Sequence, residues 1–179
     1  MDIEAFAWMR RLACAGSVTL IAALSAGALP ASAGGLERPQ GAPILTVEGN
    51  ISIKNDGDGA VFDRDMLESL GEVSFKTMTP WFTGEVEFEG VPMEKLMEAV
   101  GAKGTEVEVV ALNDYKASVP IGDFGEYGVI LALKRDGKYM PISDKGPLFI
   151  VYPYDGHAEL QKQKFYARSV WQVAKMIVK

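Results

Sequence analysis

Residues 85–102 read EVEFEGVPMEKLMEAVGA, and their period changes partway along. From Glu85 to Gly90 charged and apolar side chains alternate, the two-residue period of a half-buried strand. After Val91 the period lengthens. Leu96, Met97 and Val100 fall on one helical face, Pro92 sits in the first turn and Gly101 stops the helix.

The chain on either side reads in the same mixed way. ILTVEGNISI, residues 44–53, alternates as a strand and KNDGDGA is a turn after it. In FDRDMLESL, residues 62–70, Asp63 stands where a helix cap belongs, and Met66, Leu67 and Leu70 supply an apolar face. EVSFKTMT is a strand running into Pro80. TEVEVVAL is another, with Val107, Val109 and Ala111 on one face. GDFGEYG suggests a helical turn, VILALKRDGKYM a hairpin with RDGK at its tip, and GPLFIVYP a buried strand. For FYARSVWQVAKMIV, residues 165–178, the β-branched and aromatic content predicts strand over amphipathic helix. The expected class is α+β, strand-dominated, with two or three short helices.

Composition narrows the chemistry. The chain has 179 residues and a net charge of −6. Arg10 and Arg11, the apolar run to Leu29 and the small residues Ala31-Ser32-Ala33 read as a secretory signal over residues 1–33. A flexible lead-in over 34–43 and one globular domain over 44–179 then follow, with no second apolar span. Export to the periplasm or medium is the expectation. Cys14, the one cysteine, lies inside the signal, and His157 is the one histidine. The part after the signal therefore has no disulfide, thiolate ligand or histidine-rich metal site. Residues 34–126 carry 18 acids and 7 bases, whereas 127–179 carry 4 and 9. A basic C-terminal third can receive a small anionic ligand, or can simply be a solvated face. No basic run with interleaved aromatics occurs, which argues against nucleic acid.

Three stretches could carry chemistry. In TMTPWFTG, Thr79 and Trp81 follow a strand at a bend, where a tryptophan lines a pocket or, more commonly, caps a core edge. In ALNDYKASVP, residues 111–120, Tyr115 and Ser118 offer hydroxyls and Asp114 an acceptor. The commoner outcome there is an Asx turn, in which Asn113 or Asp114 bonds local backbone. In SDKGPLFIVYPYDGH, Lys145, Tyr152, Tyr154, Asp155 and His157 bracket the buried strand.

The order of these segments resembles the oxidoreductase molybdopterin-binding domain, the central domain of the sulfite oxidase family, over nearly all of residues 44–178. ILTVEGNI is similar to that family's opening strand, FDRDMLESL to its short helix, and FEGVPMEKLMEAVGA to its WxGVxLxDLLxxAGA segment. DYKASVPI resembles the tyrosine-bearing segment, VILALKRDGKYMP its VLLAYxxNGxPLP hairpin, GPLFIVYP its GxPxRxVVP strand, and VWQVAKMIV its KWLxxIxV end. The resemblance implies a mixed-sheet α+β fold with short helices. It also implies a molybdenum–molybdopterin centre doing redox chemistry on a small oxyanion or sulfoxide, with Tyr115 as the active-site tyrosine. The chain departs from the pattern at three places. The ligand cysteine belongs near Thr77–Thr79, where there is none; the arginine of GxPxR falls on Phe149; the lysine of KW falls on Val170. Arg168, Lys145, Lys162 and Lys164 are the cations that could stand in for the lost phosphate clamps. The expected function is a degenerate family member, a periplasmic module that binds a small ligand or serves a sensor or redox partner. The alternative is an active molybdopterin-dependent oxidoreductase with unusual metal ligation.

Overall fold

A computed structural model describes residues 35–179; the signal read at 1–33 lies outside the described residues. Two sheets make the fold. The first runs β2 (Ala60–Phe62), β1 (Leu45–Gly49), β10 (Val173–Val178), β5 (Glu106–Ala111) and β6 (Lys116–Pro120). It is mixed, because β1 and β10 are parallel and the other pairs antiparallel. The second is antiparallel and runs β3 (Val73–Met78), β4 (Glu85–Pro92), β7 (Ile130–Arg135) and β8 (Lys138–Tyr139), with β9 (Phe149–Val151) also paired to β7. Four short helices join them: α1 (Arg64–Ser69), α2 (Met93–Ala99), α3 (Gly122–Tyr127) and α4 (Gln163–Arg168). No helix of the described residues is long and apolar enough to cross a membrane.

Local chemistry accounts for most of these elements. In β4 alternate residues Val86 and Phe88 are buried, and α2 follows without a loop because Pro92, the last strand residue, is also its N-cap. At Gly90 the register of β4 against β7 shifts, and a β-carbon there would overlap the Leu131 carbonyl, so the close approach needs glycine. Asp136 (φ 49°) and Gly137 (φ 73°) turn β7 into β8 with both residues left-handed, as a two-residue hairpin loop requires.

One expectation needs correction, and with it the short helices number four among the described residues instead of two or three. The C-terminal stretch is not one strand: Phe165 and Tyr166 lie in α4, and β10 begins only at Val173. Between them Gln172 adopts φ 56°, a conformation no continuous strand or helix allows. The three-residue β2 was not foreseen, being too short to display a period.

Most of the core lies in one cluster that includes Val47, Leu67, Leu96, Val109, Leu131, Tyr152 and Val173. A smaller cluster under the second sheet holds Phe88, Ile130 and Phe149. The link into β10 joins the two sheets, because Trp171 bridges Phe149 and the Ile150 N–H donates to the Val170 carbonyl at 2.9 Å.

The lead-in is held at its far end. Buried Asp63 caps α1 by accepting from the Met66 N–H at 2.9 Å, and its other oxygen accepts from Gln40 and Gly41 at 2.8 and 2.7 Å. These bonds, Gly41's foremost, favour the carboxylate and hold its pKa below the ordinary 3.8. A depressed folded pKa gives stability that is present above about pH 4 and is lost as pH falls through the folded value. Asp63→Ala is therefore expected to lower unfolding stability by about 1–2 kcal/mol at pH 7. Urea unfolding at pH 7 and pH 3 checks this: the deficit should shrink at pH 3, and an equal deficit at both would assign it to packing.

Candidate functional site

Three segments converge on one cleft of about 280 Å³: the β5–β6 turn, the stretch from α4 into β10, and the loop after β3. The turn owes its shape to two residues. Asp114 takes φ 63° and its N–H donates to the Ala111 carbonyl at 3.0 Å, while Asn113 Oδ1 accepts from the Tyr115 N–H at 3.2 Å. The Asx turn is thus real, and the bend also puts Asn113 and Tyr115 on the cleft. Tyr115 is exposed, and its hydroxyl donates to the Ala167 carbonyl on the opposite wall at 3.3 Å.

The facing wall comes from Gln163, Tyr166 and Ala167 of α4 and from Ser169, Val170 and Trp171 beyond it. Ser169 ends the helix by donating its hydroxyl to the Phe165 carbonyl at 3.1 Å. Its oxygen also meets the Tyr154 hydroxyl at 2.5 Å. Because Ser169 has already given its one hydroxyl proton to the Phe165 carbonyl, the Tyr154 hydroxyl is the donor in that pair, and burial pushes its phenol well above the ordinary range. Trp81 forms the floor. Its ring meets Phe149, Tyr166 and Trp171 edge-on at centroid distances of 5.4, 6.0 and 5.8 Å. None of the described residues lining this cleft carries a charge.

A second cavity of about 200 Å³ opens where Tyr166 also forms a wall, lined by Met78, Thr79, Tyr154 and Asp155 among others. Its rim is fixed by Asp155, whose carboxylate accepts from the Met78 N–H at 2.6 Å and whose own N–H donates to Thr77 Oγ1 at 3.2 Å. Thr77 Oγ1 in turn donates to the Met78 carbonyl at 3.3 Å, so that hydroxyl is used within the loop. Thr79 accepts from the Trp81 N–H at 3.4 Å.

The structure brings together Trp81, Asn113 and Tyr115, with Thr79 in the adjoining cavity. Asp114 shapes the turn without lining the cleft. Seven other candidates do not line the cleft. Ser118 donates to Glu106 at 2.7 Å along the β5–β6 pair. Arg168 pairs with Asp123 at 2.7 Å, and the buried Tyr152 hydroxyl donates to the same carboxylate oxygen at 2.8 Å. Burial first, and that bond second, hold the Tyr152 phenol well above its ordinary range. Lys145, left-handed at φ 66°, rests its ammonium 4.3 Å over the Trp171 ring. His157 lies against the edge of Tyr127, with Nδ1 3.6 Å from Glu159. Lys162 caps α4 through its backbone, and Lys164 lies 4.5 Å over Phe165. Gln163, Tyr166 and Trp171 were missed. The last two sat in a stretch taken for a strand, and only a helix brings Gln163 and Tyr166 to one wall.

No curated protein sequence matches the chain. Among solved structures it is similar to the sulfane dehydrogenase SoxCD from Paracoccus pantotrophus, with a TM-score of 0.58 and 17% identity. That similarity covers 75% of this chain and 37% of the other, so the chain spans little more than a third of that protein's length. At this identity it speaks for the fold, which is the strand-rich sulfite oxidase type. The family model described as the oxidoreductase molybdopterin binding domain matches residues 64–161, more than half of the 179 residues. The chain belongs to the oxidoreductase molybdopterin binding domain family.

Proposed function

We propose that this chain is a noncatalytic member of its family, an exported module that binds a small ligand in the cleft between Tyr115, Trp81 and Trp171. The donor set carries the proposal. A molybdenum centre with a phosphate-bearing pterin needs a soft protein ligand and cations for the phosphate. The loop at Thr77–Thr79 offers a hydroxyl committed to its own backbone, a thioether and a second hydroxyl, with the Asp155 carboxylate beside them. Phe149, where the family has arginine, is buried against Trp81 and Phe88; Val170, where it has lysine, lines the cleft. Three of the four nearby cations are engaged elsewhere, Arg168 with Asp123, Lys145 on Trp171 and Lys164 on Phe165, and the fourth, Lys162, is exposed and does not line the cleft. These residues do not fit such a group.

Export rests on the sequence of residues 1–33, and a sensor or redox protein of the same compartment is the partner proposed. The test is to produce the full chain in a bacterium that makes molybdopterin, then purify it from the periplasmic fraction. Metal content by plasma mass spectrometry and pterin by fluorescence should both be far below stoichiometric, and the protein should begin near Gly34. Near-stoichiometric molybdenum with pterin would establish the enzyme instead. Recovery only from the cytoplasm with the N-terminus intact would remove the export.

A further inference from the structure

The charge and shape of the cleft narrow what it can hold, on the reading that the chain binds a small ligand other than the molybdenum cofactor. Two of the charged groups beside the cavities, Lys145 and Asp155, have opposite signs. Lys145 holds its ammonium on the Trp171 ring, which discourages a second cation at that wall. Asp155 stands in the neighbouring cavity beyond Tyr166, with its carboxylate on the Met78 N–H. An anion in the cleft would lose hydration and meet at most the Lys145 ammonium, which already rests on the Trp171 ring, since none of the described lining residues is charged. A neutral ligand meets neither penalty.

Shape adds a second constraint. Tyr166 and Trp171 stand at 80° and 70° to the Trp81 ring, so the aromatic walls form a steep corner. A flat ring can lie face-on to one wall while its edge meets another, the arrangement aromatic pairs favour. A cavity of about 280 Å³ has room for one ring system with a short substituent.

Hydrogen bonding adds the third. Among the described residues the side chains of Gln163, Trp81 and Trp171 form no hydrogen bond, and Asn113 uses only its carbonyl oxygen. Two indole N–H groups, two amide NH2 groups and the Tyr166 hydroxyl can donate, whereas the Gln163 carbonyl and that same hydroxyl are the main unused acceptors, so donors predominate and the lining favours a ligand that accepts.

We propose that the cleft binds an uncharged, planar aromatic or heteroaromatic compound bearing a hydrogen-bond acceptor, such as a carboxamide or ring carbonyl. Trp81 and Trp171 are two of the chain's three tryptophans, so intrinsic fluorescence reads the site. Benzamide, benzoate and benzyltrimethylammonium present one ring with zero, negative and positive charge. Benzamide is expected to give saturable quenching, with the two ions at least tenfold weaker. Gln163→Ala should weaken benzamide about three- to tenfold without loss of fold, because that exposed side chain bonds nothing in the protein. Ser118→Ala, off the cleft, should leave binding unchanged.

Benzoate or the ammonium binding as tightly as benzamide would overturn the proposal. So would the absence of saturable binding, or Gln163→Ala having no effect. Molybdenum is measured on the same sample. A metal-free protein that ignores benzamide loses only this ligand class, whereas a molybdenum-loaded one loses the noncatalytic reading.

Discussion

Arg168→Met is expected to lower unfolding stability by about 2–4 kcal/mol while changing benzamide affinity less than twofold. The basis is what the guanidinium touches. It donates to Asp123 Oδ2 at 2.7 Å, the oxygen that the buried Tyr152 hydroxyl also bonds, and its plane lies 5.3 Å over Phe165. Asp123 is 8% exposed, so removing the arginine leaves a carboxylate inside the protein with one neutral donor. The arginine side chain is 23% exposed, and water reaching it is why the range sits below that of a fully enclosed pair. Methionine keeps most of the apolar stem over Phe165, so the loss reports the charge more than the packing. Adding Asp123→Asn should recover part of the deficit, giving a coupling of about 1–3 kcal/mol in a double-mutant cycle. Urea unfolding followed by tryptophan fluorescence measures each variant. A variant that keeps its stability but loses ligand would make Arg168 a clamp for the occupant, as its place in the sequence had suggested.

Arg168 also marks the limit of what the sequence discloses. Local periods were legible wherever one residue type repeated on one face. The alternation of EVEFEG, the cap at Asp63 and the Asp-Gly hairpin all carry their cause within a few residues. The lining of the cleft was legible where a turn interrupted a strand, at Asn113 and Tyr115, and where a tryptophan followed a proline, at Trp81. What could not be read was partnership across the chain. Arg168 is 45 positions from Asp123, and nothing local distinguishes a cation paired with a buried carboxylate from one waiting for a phosphate. The split of residues 165–178 was hidden for another reason. Aromatic and β-branched residues favour strand by propensity, yet Phe165 is buried from a six-residue helix whose stability comes from that burial. The break then falls at Ser169, through its bond to the Phe165 carbonyl, and at Gln172, through its left-handed backbone.

Trp81→Ala is the larger perturbation, expected to cost about 3–4 kcal/mol of stability and to abolish measurable benzamide binding. Trp81 lies between the two core clusters and packs against both. It makes edge contacts to Phe149, Tyr154, Tyr166 and Trp171, with centroids 5.4–6.3 Å away. Truncation leaves those rings without their common neighbour, and such pairs contribute about 0.5–1.5 kcal/mol each beyond area burial. The ring is only partly buried, which keeps the expected cost below the upper end for a core tryptophan. Its position decides how stability and binding are linked. Pocket wall and core edge were alternatives in the sequence, and the structure makes Trp81 both. Trp81→Phe separates the roles: a smaller ring should restore most of the packing, while removing the indole N–H available to an acceptor. Chemical unfolding and the benzamide titration should therefore diverge for Trp81→Phe, with stability within about 1–2 kcal/mol of the parent and affinity reduced several-fold. Equal recovery of both would mean that the cleft uses Trp81 for shape alone, leaving the hydrogen bond to Gln163, Asn113 or Trp171.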